Sequence, residues 1–130
     1  MRYALVLLLA LGSILAAQAP SKQESRPGVE IVEVSASRAD NRIMVDGRVR
    51  NIWDRPLTKL VLVVELLDSE RKLIGQRRGA VEEESLEPGD EVPFHFYLPL
   101  QARSIQVRLA AEAARVPHVE VRKPGPYPIE

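Results

Sequence analysis

The segment Leu60–Leu67 reads Leu-Val-Leu-Val-Val-Glu-Leu-Leu, apolar on both sides of an extended chain except at Glu65. Successive side chains of a strand point to opposite faces, so Leu60, Leu62, Val64 and Leu66 share one face and Val61, Val63 and Leu67 the other. A strand apolar on both faces is normally covered twice. A sandwich of two sheets covers only the inner face of each. One face of this strand is therefore surplus to a small sandwich core, and Val61, Val63 and Leu67 become candidates for contact with a partner.

The same period of two recurs along the chain and excludes a helical fold. Val32 and Val34 alternate with Glu33 and Ser35; Ile43, Val45, Gly47 and Val49 alternate with Met44, Asp46, Arg48 and Arg50. Gly47 falls on the inner face, where a missing side chain implies a bulge or the close approach of another backbone; a tight turn at Asp46-Gly47 is the alternative. Asp68-Ser69-Glu70-Arg71 turns the chain into a return strand through Leu73 and Ile74. After the acidic run Glu82-Glu83-Glu84 and the Glu87-Pro88-Gly89 turn, Phe94, Phe96 and Leu98 point inward and His95 and Tyr97 outward. Ile105, Val107 and Leu109 mark a further core strand, and Val119 and Val121 a final edge strand. Ala110–Arg115 is ambiguous, because its alanines favour a helix that is too short to nucleate alone. The pattern predicts an all-β, immunoglobulin-like antiparallel sandwich of six to seven strands over residues 29–122.

Gly47-x-Val49-x-Asn51, then Leu66-x-Asp68, then Pro88-Gly89 ahead of Phe94 follow one another in an order that resembles the FxLYD type of small extracytoplasmic β domain, over about half of the chain. Gly47, Val49 and Asn51 match its Gly-x-Val-x-Asn element, Leu66 and Asp68 match within the five residues that name it, and Pro88, Gly89 and Phe94 match its later turn and aromatic strand. Val64 stands where that family has Phe and Leu67 where it has Tyr. The resemblance implies an immunoglobulin-like accessory or binding module without known chemistry.

Met1-Arg2-Tyr3 followed by the apolar run Ala4–Ala17 has the layout of a signal peptide. The run falls short of the roughly 20 residues that cross a bilayer. Residues 1–17 are read as a leader cleaved after Ala16 or Ala17, or as an anchor if uncleaved, with residues 18–28 as a flexible tether and 123–130 as a stiff proline-rich tail. The expected location is extracytoplasmic, periplasmic or secreted, with membrane contact only through an uncleaved leader. There is no cysteine, so stability must come from the core. With 18 basic and 18 acidic residues, no net charge steers the chain toward nucleic acid.

Chemistry finds little support. His95 and His118 are far apart in sequence, and no serine lies in a Gly-x-Ser-x-Gly elbow. No catalytic, cofactor-binding or metal-binding residue is expected. Trp53, between Asn51 and Pro56, either covers one end of the core as a lid or anchors a partner. Two functions follow. The first is a non-catalytic protein-binding or assembly module whose partner is an envelope or extracellular protein, met by an unpaired strand edge or by a patch of Val61, Val63, Leu67 and Tyr97, which requires the strands carrying them to be neighbours. The alternative is a binder of a small apolar ligand such as a lipid fragment, held between the sheets near Leu62, Val64 and Phe96 or at the open end near Trp53.

Overall fold

The computed structural model describes residues 25–130; the leader and most of the tether expected from the sequence lie outside the described residues. Seven long strands form the sandwich: β1 (Gly28–Ala39), β2 (Arg42–Asn51), β4 (Val61–Leu67), β5 (Leu73–Ala80), β7 (Glu91–Pro99), β8 (Gln106–Ala113) and β9 (Val116–Arg122). Three two-residue strands complete it, β3 (Leu57–Thr58), β6 (Ser85–Leu86) and β10 (Tyr127–Pro128). One sheet runs β1-β2-β7 and the other β5-β4-β8-β9, while β3 and β6 pair with each other. Leu62, Val64, Leu66, Val107 and Leu109 from one sheet meet Ile31, Ile43, Val45, Val49 and Phe94 from the other in a single core.

The final strand is not an edge. β9 pairs antiparallel with β8 at Val116 and Val119, then parallel with β1 from Glu120 to Arg122, so it joins the two sheets along one side. Ala110–Ala113 belongs to β8, where tertiary pairing overrides the helix propensity of its alanines. The segment read as a tail closes the same side lower down. Tyr127 and Pro128 pair with β8, Ile129 bridges to Ala36 and is buried, and the Arg38 guanidinium donates to the carbonyl oxygens of Ile129, at 3.2 Å, and Ser104. Residues 25–28 likewise depart from a free tether: Gly28 is buried in β1, and Arg26 pairs with Glu120 at 3.3 Å. The other side of the sandwich stays open, since β5 and β7 each pair with one neighbour only.

Gly47 explains itself within β2, which runs through Asp46-Gly47 without a turn. A side chain there would collide with the Glu33 carbonyl oxygen and with the Phe94 ring. The bulge lies in the partner strand, where the β1 register shifts between Ile31 and Glu33. That extra residue leaves Val32 half-buried and turns Val34 toward the core.

Candidate functional site

The structure separates the residues expected to form one patch. Val61 and Val63 lie on the outer face of β4, but Tyr97 is on β7, paired with Met44 of β2 in the opposite sheet. Val63 is buried, and Leu67 completely so. Val63 stands opposite Arg78 of β5, and Arg78 reaches Glu112 of β8, which stands opposite Val61. The ion pair thus crosses β4, and its aliphatic stem shields the apolar face that the sequence left uncovered. Beside it, Glu65 of β4 pairs at 2.8 Å with Arg108, which stands directly opposite on β8. Tyr97 is flanked on its own sheet by the Arg42 guanidinium, 4.4 Å from its ring centre, and by the His95 ring, edge-on at 4.7 Å.

The two ends of the sandwich differ. At one end lie the 52–60 and 81–90 connections, tied by Asn51, which is fully buried. Its side-chain amide donates to the carbonyl oxygens of Arg55 (2.9 Å) and Leu86 (2.8 Å), and its side-chain oxygen accepts from the Trp53 backbone N–H (2.8 Å). Its main chain bonds Asp90 and Gly89. Trp53, half-buried against the core with Arg55 over its ring, forms the lid of this end.

At the opposite end lie the 40–41 and 68–72 turns and the 100–105 loop. Here Leu73, Leu100 and Ile105 are 47%, 39% and 41% exposed. Ile105 was expected in the core; β8 begins one residue later, and its inward positions are Val107, Leu109 and Ala111. The Leu67 carbonyl accepts from the Ile105 N–H at 3.0 Å, and Leu73 is the partner of Leu67 on β5. Leu67, expected on a partner surface, is instead fully buried, with the exposed Leu73 opposite it on β5 and Gln106 opposite it on β8. Tyr97 lies on the strand leading to this end and is 38% exposed. Leu100 follows Pro99 at a strand terminus and Leu73 opens a hairpin return, the only hints in the sequence that neither would reach the core.

The outer face of β1-β2-β7 is a charged ladder. Arg50 bridges Glu91 at 2.7 Å and Glu30 at 3.0 Å, and Arg48 joins Glu91 at 3.3 Å. Hydrogen bonding from Arg50, then from Arg48, holds the Glu91 carboxyl below the usual range, and Arg50 is raised chiefly by its bond to Glu91. Next to the ladder, Ser35, Asp46 and His95 occupy successive strands in register, with His95 Nδ1 against Asp46 Oδ1. An open groove of about 470 Å³ lies over them, between Glu33, Arg48 and Pro93. The order of the row matters chemically. Asp46 lies between the other two, so Ser35 and His95 are two strand spacings, roughly 10 Å, apart, and His95 is out of reach to take the Ser35 proton. Among the described residues no group of three or more His, Cys, Asp or Glu side chains is placed to hold a metal ion.

No family model matches the chain, and no curated protein matches it. Among solved structures, a β-glucuronidase from glycoside hydrolase family 2 superposes on 70% of this chain with a TM-score of 0.52 at 12% identity. This chain covers only 12% of that enzyme, and the likeness is one of fold alone. The C-terminal domain of Wzt matches over 71% of this chain and 64% of its own length, at 16% identity and a TM-score of 0.49.

Proposed function

We propose that this chain is a non-catalytic protein-binding or assembly module that works outside the cytoplasm and meets its partner with the end carrying Leu73, Leu100 and Ile105. One observation carries the reading: the exposed large apolar side chains of the described residues collect at this end and on the strand leading to it. Exposed apolar groups gathered in one region, rather than scattered singly, are characteristic of partner sites. The leader-like sequence Met1–Ala17 supports the compartment, and the resemblance of Gly47–Phe94 to FxLYD domains supports an accessory role. A small apolar ligand between the sheets is the weaker reading, because Leu62 and Val64 are fully buried in the core and would have to be displaced.

The test is capture from native envelope extract by the wild-type protein, by the double variant Leu100→Lys/Ile105→Lys, and by Thr58→Lys at the other end. Exposed positions accept lysine with little loss of stability, whereas an unpaired charge buried in an interface is costly. The double variant should lose the proteins that wild type and Thr58→Lys retain. Equal capture by all three would remove this end as the binding surface.

A further inference from the structure

The open side of the sandwich presents two strand edges with different backbone chemistry. Hydrogen bonding alternates along an antiparallel ladder. The Val81 N–H donates to the Leu60 carbonyl, so in register Gly79, Arg77 and Gly75 direct their backbone groups to β4. Gln76, Arg78 and Ala80 then direct their N–H and C=O groups to the free edge. No backbone partner takes them among the described residues. On β7 the Asn51 N–H donates to the Asp90 carbonyl, which by the same alternation points Pro93 and Pro99 at the free edge. Prolines lack the donor, so the β7 edge is interrupted twice. The β5 edge is complete.

The side chains beside the β5 edge are equally specific. Gly75, Arg77 and Gly79 pair with Leu66, Val64 and Leu62, and so face the seam between the sheets. A side chain at Gly79 would strike the Phe96 ring, and one at Gly75 would strike the Gln101 amide. Arg77 stands between these glycines, exposed and without an ion-pair or hydrogen-bond partner among the described residues, whereas its neighbour Arg78 is engaged with Glu112. Beside Gly79 a pocket of about 150 Å³ opens between Ala80–Glu82 and Pro93–Phe96.

We infer that the β5 edge is a docking edge for an extended segment of a partner protein that carries a carboxylate opposite Arg77 and an apolar side chain two positions away, opposite Gly79. The inference deepens the binding-module reading and rests on it. Strand addition supplies main-chain hydrogen bonds to Gln76, Arg78 and Ala80, while alternate side chains of the guest enter the seam. Charge decides the occupant. A second copy of this chain, paired through its own β5, brings Arg77 and Arg78 against their counterparts, and like charges facing each other across strands repel. Arginines on an edge guard it against self-pairing, and the same Arg77 admits an acid-bearing guest.

The probe is the blocked heptapeptide Thr-Val-Thr-Glu-Thr-Val-Thr, which sets an apolar residue two positions from the glutamate in either chain direction. It is titrated into isotope-labelled protein prepared by expression with its leader. Saturable shifts centred on the Gln76, Arg78 and Ala80 amides are expected, with at least tenfold weaker binding to Arg77→Glu. Replacing the peptide glutamate by lysine should abolish binding without altering the protein, and N-methylation of alternate peptide amides should do the same. The inference is overturned by absence of saturable shifts at millimolar peptide, by shifts centred on β7, or by equal binding of the glutamate and lysine peptides. Any of these would leave capture by the Leu100 and Ile105 end standing, so the two readings fail separately.

Discussion

The end of the sandwich built around Asn51 and the end built around Leu67 solve the same problem in opposite ways. Both must cover the core where strands turn back. At the first, one buried amide satisfies two carbonyl oxygens and a backbone N–H, and Trp53 lies over the core. At the second, Leu67 is covered by chain whose large side chains, Leu73 and Ile105, remain in water. The first end is tied by a buried amide and exposes no large aliphatic side chain, whereas the second leaves Leu73, Leu100 and Ile105 in water. On the proposed function, the first end serves stability and the second meets the partner.

The largest expected effect breaks the first end. Asn51→Ala leaves the Leu86 and Arg55 carbonyl oxygens and the Trp53 N–H without their partner, and at about 1–3 kcal/mol for a buried unsatisfied group the loss should exceed roughly 3 kcal/mol in urea melts. A loss below 1 kcal/mol would mean that water replaces the amide and that this end is not stitched shut. Between the ends, Phe96→Ala should cost roughly 3 kcal/mol, as buried aromatic truncations do. His95→Ala, on the solvent face of the same strand, should cost little. Equal losses would put β7 in the wrong register.

A smaller effect separates the ends by pH and salt. Glu91, near the first end, is held below the usual carboxylate range by Arg50 and Arg48, and Asp68, in the turn at the second, chiefly by the Lys72 backbone N–H and also by that of Glu70. A folded-state pKa below the unfolded value means that the unfolded chain binds more protons, so both contributions are present above about pH 4 and vanish as pH falls through the lowered folded values. Acid titrations of stability should show that salt shrinks the contribution removed by Glu91→Gln, because ion pairs are screened, and leaves that removed by Asp68→Asn nearly unchanged. The smallest effect is expected from Leu100→Lys and Ile105→Lys. Each should change stability by no more than about 0.5 kcal/mol, as exposed positions do.

Much of the fold was legible because alternation reports faces directly. Phe94, Phe96 and Leu98 are buried and His95 and Tyr97 turn outward as the pattern requires, and the close approach at Gly47 was marked by its missing side chain. The proposed patch was not legible. Alternation shows that Val63 faces outward from β4, but not that Arg78 and Glu112 arrive on its two neighbouring strands to cross it. Nor does alternation order the strands, which is why Tyr97 fell on the opposite sheet. The last residues misled for another reason. Three prolines between 124 and 128 read as a solvated extended segment, whereas the N–H groups that remain, on Ile129 and Glu130, supply the bonds to Ile105 and Ala36. The seam at Arg77 was hidden because Gly75 and Gly79, which make room for Gln101 and Phe96, interrupt the apolar pattern of an inner face.

The division of labour between the ends is tested most directly by site-specific photo-crosslinking in intact cells of the source, with a photoreactive phenylalanine analogue placed at Leu100, at Ile105 or at Thr58. Discrete crosslinked protein products from Leu100 and Ile105, absent from Thr58, are the result expected if the apolar end meets a partner. Products from Thr58 alone, or none from either apolar position while the protein is folded and exported, would contradict it.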